Sequence, residues 1–158
     1  MKAITIRQPW SSMILDGKKT IEVRSWEPKY LGWVIVHAGR NVDLDACKHF
    51  DTTTSTLHLG KVLGAVHLTS SFRFTKELWN ELQAEHREIT PYDPKFFGWR
   101  IRDTIKLNSP VTWSGKLGIF DIDDSTNFVQ EILLRIRGCE DGSRFECPNN
   151  SFEGENGI

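Results

Sequence analysis

Between Gly17 and Trp26 the chain reads Gly-Lys-Lys-Thr-Ile-Glu-Val-Arg-Ser-Trp, which sets Lys19, Glu22, Arg24 and Trp26 within eight residues. In an extended segment side chains alternate between two faces, so Glu22, Arg24 and Trp26 share one face while Ile21 and Val23 turn to a core. An ammonium, a carboxylate, a guanidinium and an indole on one surface suit a polar, planar ligand such as a nucleobase or nucleotide. Lys19 and Arg24 would grip phosphate or a base carbonyl, and Glu22 would accept from an exocyclic amine or act as a general base. The same residues also make an ordinary solvated strand face with Glu22 as counter-ion of Arg24, and spacing alone leaves both readings open.

Further candidates surround this stretch. Arg7 and Gln8 precede a helix start at Pro9, where unsatisfied backbone N–H groups favour an anion. Trp10, Trp26 and Trp99 are possible stacking platforms, of which one or two are expected at the ligand, whereas Trp33, Trp79 and Trp113 are assigned to packing. His37 would donate to a ligand or serve as a satisfied core histidine. Cys47, His49, His58 and His67 lack paired metal spacing, so no metal is expected. Without a P-loop, a G-x-S-x-G elbow or a dinucleotide fingerprint, no cofactor is expected either.

The elements that must position these groups follow from periodicity. Lys2 to Arg7 alternates and reads as a strand with Ile4 and Ile6 inward. Pro9 opens a two-turn helix with a Trp10, Met13, Ile14 stripe, ended by Gly17. Thr20 to Trp26 is the second strand, and the continuously apolar Gly32 to Ala38 is a central one with His37 at its end. Asp43 starts a short helix with Leu44, Cys47 and Phe50 inward. Lys61 to Phe74 is the longest strand expected, Leu63, Ala65, His67 and Thr69 on one face and Val62, Val66 and Leu68 on the other, with Gly64 marking a bulge or close backbone approach. Thr75 caps a helix from Lys76 to His86, and Thr90 to Pro94 forms a rigid loop able to cover something. Phe96 to Leu107 reads as a strand or strand pair, and Pro110 to Phe120 gives a turn at Ser114-Gly115 and a final strand. Phe128, Val129, Ile132, Leu133 and Ile136 line one face of a last helix that Gly138 should stop.

With 158 residues, 39% of them hydrophobic, the chain suits one domain, residues 1–138, followed by a disordered acidic tail over 139–158. The formal charge of −1 conceals an asymmetry: residues 1–40 hold seven Lys or Arg against three acids, and residues 138–158 hold one base against five acids. The body is therefore modestly basic, enough for a local anionic site and too little to coat duplex DNA. No apolar run of membrane-spanning length and no signal-peptide block occurs, and three cysteines do not make a disulfide framework, so a reduced, cytoplasmic protein without a membrane partner is expected. About six short strands with scattered helices suggest a mainly β, α+β fold closed into a small barrel with peripheral helices and a C-terminal helix.

Ile6-Arg7-Gln8-Pro9-Trp10, then Gly17-x-Lys19-x-x-Glu22-x-Arg24-Ser25-Trp26, then Gly32-Trp33-x-x-x-His37-Ala38 together resemble the ASCH domain of the PUA-like superfamily, whose signature is G-x-K-x-x-E-x-R. Leu63 to Val66, Phe97-Gly98-Trp99 and Gly115 to Phe120 extend the resemblance, which runs from about residue 2 to 122. It implies a pseudo-barrel with a cleft lined by Lys19, Glu22 and Arg24, and RNA, a nucleotide or a nucleoside as partner. It also implies an alternative, an enzyme on a nucleic-acid-derived substrate: an amidohydrolase on an acylated nucleoside such as acetylcytidine, or a ribonuclease. In the amidohydrolase branch a Lys, a Thr and an acid act together; the Lys corresponds to Lys19, the Thr falls on Glu22, and the acid falls at or near His67. Glu22 removes that nucleophile, and Thr20 lies on the opposite strand face. Lys19, Glu22 and His67 are the catalytic candidates for the hydrolase alternative. A third class is a protein-interaction domain that uses the acidic tail.

Overall fold

The computed structural model describes residues 1–140. Six strands form one mixed sheet: β1 (Lys2–Gln8), β2 (Ile21–Arg24), β3 (Gly32–Val42), β4 (Lys61–Arg73), β5 (Phe97–Thr112) and β6 (Ile119–Asp121). Their order is β2-β5-β4-β3-β1-β6. Among the described residues only β1 and β3 run parallel, with Lys2 opposite Val34 and Ile6 opposite Ala38. The helices are α1 (Trp10–Leu15), α2 (Leu44–His49), α3 (Lys76–Glu81), α4 (Gln83–His86) and α5 (Asn127–Glu140). The fold is thus mainly β within the α+β class, as expected, but the sheet is not closed into a barrel. Its edges are β2 and β6, four and three residues long, and edges this short present too little unpaired backbone to demand closure.

Apolar side chains on the two sheet faces form separate cores. One packs Ile4, Ile6, Val34, Val36, Leu63, Val66, Leu68, Trp99 and Ile101 under α1. The other packs Ala3, Ile35, Val62, Ala65, Ile105 and Leu107 under Phe128, Val129, Ile132 and Ile136 of α5. A smaller cluster joins Ile21 to Phe74, Trp79 and Leu82, with Val23 packed against it. Alternation explains β1 and β3 directly, whereas β4 departs from strict alternation. Leu63 sides with Val66 and Leu68, and Val62 with Ala65, because the β4–β5 register shifts between Val62 and Gly64. A Cβ on Gly64 would lie 2.0 Å from the carbonyl oxygen of Ile105, so the bulge needs the bare backbone. A second shift, between Val66 and Leu68, moves β5 from the Trp99–Ile101 core to the Ile105–Leu107 core.

Local signals behave as their chemistry dictates. Asp43 caps α2 through the Ala46 N–H, and Thr75 caps α3 through the Leu78 N–H. Gly17 adopts φ +71° just past α1. Four readings need correction. The segment 76–86 is two short helices, with Leu82 terminating the first. Leu44 points to solvent at 67% exposure, since a six-residue helix buries only Ala46 and Cys47. β5, sixteen residues long and reaching Thr112, is the longest strand. Gly138 does not stop α5, which continues to Glu140 because one glycine costs a helix only about 1 kcal/mol. The rest of the expected acidic tail lies outside the described residues. No helix among the described residues is long and apolar enough to cross a membrane.

Candidate functional site

β2 lies at a sheet edge, pairing only with β5, so its outer side opens onto a cleft of about 640 Å³. Glu22, Arg24, Trp26, Trp10 and Arg7 line it, together with Arg40 near the end of β3 and Glu88, Thr90, Lys95 and Phe96 of the loop before β5. The loop expected to cover something does border this space. Tyr92 Oη donates to the Phe74 carbonyl and the Lys95 N–H to Asp93, which hold the loop in shape.

Glu22 is the centre of the charge arrangement. Its carboxylate side chain is 7% exposed, with Oε1 2.9 Å from Arg24 Nε and Oε2 3.8 Å from Lys19 Nζ. The Arg24 N–H is not aimed along that 2.9 Å line, so the contact is charge pairing and not an aligned hydrogen bond. Arg24 Nη2 donates to the Thr5 carbonyl at 3.1 Å, fixing the guanidinium plane across β1 and β2. Glu22 therefore presents an ordered carboxylate whose acceptor capacity is not filled by aligned donors among the described residues.

Lys19 is in a different position from the one its spacing suggests. It is fully buried, and its Nζ donates to the His86 carbonyl at 2.5 Å and to Glu88 Oε1 at 2.9 Å. The ammonium also sits 5.0 Å from the Trp10 ring centre. It thus works from beneath the cleft, tying β2 to the 86–88 segment. Glu88, which no sequence motif marks, completes this cluster; burial pushes its carboxyl up from the ordinary value, partly offset by Lys19. His86 anchors the same segment: Nδ1 accepts from the Glu88 N–H, so Nε2 carries the proton donated to the Trp79 carbonyl. Burial holds its pKa below the usual histidine value, consistent with that neutral form.

The remaining candidates separate into those at the cleft and those away from it. Trp26 is half-buried and lines the wall; Trp99 lies buried behind it, meeting it edge-on at 4.6 Å and donating from Nε1 to the Trp26 carbonyl. Trp10 is buried at the cleft floor with Nε1 3.3 Å from Asp43 Oδ2, and Arg7 pairs with the same oxygen at 2.9 Å. Gln8 is fully buried, spends its amide on the His58 carbonyl and the Ser12 N–H, and does not line the cleft. His37 is buried beside the cleft, linked to Thr5 Oγ1 and the Trp113 carbonyl, with its pKa lowered chiefly by burial. His67 stacks on Trp33 and meets Arg102 on another part of the sheet, outside the cleft lining. Sequence reasoning missed Glu88, Arg40 and Lys95, which only the tertiary arrangement brings to β2. Among the described residues no group of three or more His, Cys, Asp or Glu is placed to hold a metal ion.

This geometry can be set beside known proteins. A search of curated proteins finds no match. Among solved structures, the ASCH protein of Zymomonas mobilis is similar in fold, with a TM-score of 0.57 at 16% identity, covering 85% of this chain and 94% of that one. Two single-substitution variants of the same protein give 0.55 at 14% identity, covering 85% of this chain and 94% and 96% of theirs. The ASCH domain family model matches residues 4–110, a span that contains most of β1, all of β2 to β4, most of β5 and every cleft residue described above. On that match, and on the Lys19, Glu22 and Arg24 cluster it includes, the chain belongs to the ASCH domain family.

Proposed function

We propose that the chain is an RNA- or nucleotide-binding ASCH module that holds one nucleotide in the β2 cleft. The observation that carries this reading is the joint placement of Glu22, Arg24 and Trp26 on the wall of one open cleft. Glu22 accepts from the exocyclic amine of a base, Trp26 supplies an aromatic face, and Arg24 contacts phosphate or a base carbonyl. Arg40, which has no carboxylate partner among the described residues, and Arg7 add charge at the rim. Lys19 takes the part of a positioning residue that holds Glu22 and Glu88 in place by charge pairing.

The test is fluorescence titration with a panel of nucleoside monophosphates, the signal coming from Trp26. Arg24→Ala should weaken binding at least tenfold with an unchanged circular dichroism spectrum, and Arg24→Lys should recover only part of it because the planar fork is lost. Glu22→Gln should narrow the preference for bases that carry an exocyclic amine. Wild-type affinity and selectivity in both Arg24→Ala and Glu22→Gln would remove the basis for the proposal.

One observation favours a second reading, hydrolysis. Glu88 lines the cleft with a raised proton affinity, and Glu22 sits on the other side of the shared Lys19 ammonium, a pairing that suits acid-base work. Incubation with acetylcytidine and with short RNAs, followed by product analysis, separates the readings: free acetate or RNA fragments support an enzyme, and unchanged substrates support binding alone.

A further inference from the structure

The cleft does not end at Arg24. A second depression of about 610 Å³ begins on the far side of the same guanidinium and is lined by Arg24, Arg40, His37, Ser114, Gly115 and Lys116. Thr5, Arg24, Gly39 and Arg40 border both depressions and so form the saddle between them. A third, of about 400 Å³, continues past Gly118 and lies between Trp26, Tyr30, Lys2 and Lys29. Trp26 therefore lines the first and third depressions, while Arg24 is shared by the first and second. Each volume falls in the range of roughly 300–1,000 Å³ that one small ligand fills, so a single nucleotide cannot occupy all three.

The chemistry of the extension is uniform. Arg40, Lys116 and Lys29 are exposed and have no carboxylate partner among the described residues, whereas Lys2 is paired with Asp121 at 2.9 Å. His37 offers no free donor, because its two ring nitrogens are engaged by Thr5 and Trp113. The second depression thus recognises negative charge without a base-reading group, and the third offers Trp26 and Tyr30 rings between two lysines. Cations at intervals beside aromatic faces are what a nucleic-acid backbone with unstacked bases requires.

The geometry points to a continuous binding track for a single-stranded oligonucleotide: one base in the Glu22 cleft, the adjoining phosphate on the Arg24–Arg40 saddle and toward Lys116, and a further base between Trp26 and Tyr30. This deepens the proposed function and rests on it, since the first nucleotide occupies the cleft assigned there. RNA and DNA share the recognised chemistry, and matched RNA and DNA arms distinguish them.

The experiment measures the affinity of the full chain for a nucleoside monophosphate and for the corresponding tri- and tetranucleotides, as RNA and as DNA, at several salt concentrations. The oligonucleotides should bind at least tenfold more tightly than the monomer. Lys116→Ala and Lys29→Ala should each remove a large part of that gain, reduce the slope of log affinity against log salt by about 0.7 per lost phosphate contact, and leave monomer affinity unchanged. Arg137→Ala, an exposed change on α5, serves as the control for net charge and should have no such effect. Monomer binding with no gain on lengthening overturns the track and leaves the cleft reading intact. A gain on lengthening that Lys116→Ala and Lys29→Ala do not reduce, or that Arg137→Ala reduces equally, also overturns it. Absence of binding by monomer and oligonucleotide alike overturns both readings together.

Discussion

Lys19 is the residue on which the site's electrostatics turn. A fully buried ammonium is tolerable because Glu88, Glu22 and the His86 carbonyl surround it, and such a cluster contributes through order more than through net energy. Removing the cation leaves two nearly buried carboxylates facing one another across the vacated position. Lys19→Met should therefore destabilise the fold by about 3–5 kcal/mol near pH 8. The pH dependence has a definite sign. Burial already raises the Glu88 value in the folded chain above its ordinary 4.5, and Lys19 opposes that rise. Without Lys19 the folded value climbs further, so the Glu88 contribution is fully present below 4.5 and is lost as pH rises through the folded value. Urea unfolding of wild type and Lys19→Met from pH 4.5 to 8 should show a stability gap that widens with pH. A gap that is constant, or that narrows, would mean that Glu88 is not the group left uncompensated.

At the scale of elements, the bulge at Gly64 decides which residues of β4 reach which core. A Cβ there meets backbone, the Ile105 oxygen at 2.0 Å and the Lys106 Cα at 3.0 Å, and backbone cannot swing aside as a side chain can. Gly64→Ala should cost about 3 kcal/mol or more by forcing β4 and β5 apart. Gly118→Ala is the useful comparison: its Cβ meets nothing within 4 Å, so only the φ of +68° is strained and the cost should be about 1 kcal/mol. Equal urea midpoints for the two variants would refute the close-approach argument. The elements also show what a sequence can and cannot disclose. Caps at Asp43 and Thr75, the turn at Gly17 and the alternation of β1 and β3 are local and were legible. Face assignment along β4 was not, because a register shift reverses parity without changing any local propensity. The cleft divides in the same way: Glu22 and Arg24 are neighbours on one short strand, but the burial of Lys19 depends on residues 86–88, more than sixty positions away. Strand count suggests barrel closure but says nothing about whether the edge strands β2 and β6, four and three residues long, can meet.

For the whole molecule, the sheet divides labour between its faces. The cleft gathers around β2 and the C-terminal ends of β1 and β3, while α5 closes the opposite face and lines none of it. The ASCH match ends at residue 110, before β6 and α5, which raises the question whether the C-terminal part is an accessory. Its packing says that it is structural. Phe128, Val129, Ile132 and Ile136 are buried against Ala3, Ile35, Val62, Ala65 and Ile105, strands from the middle of the sheet. Each such side chain contributes roughly 1.5–3 kcal/mol by burial, and four together rival the 5–15 kcal/mol that holds a typical domain folded. A chain truncated after residue 126 should therefore be insoluble or unfolded. Ile132→Ala is the milder probe, with an expected loss of about 2–5 kcal/mol. Because Ile132 packs in the opposite-face core and does not line the cleft, nucleotide affinity measured well below the new midpoint should stay at the wild-type value while the thermal midpoint falls. A fall in affinity that Arg24→Ala does not deepen further would instead place α5 in control of the cleft, and the separation of the two faces would have to be abandoned.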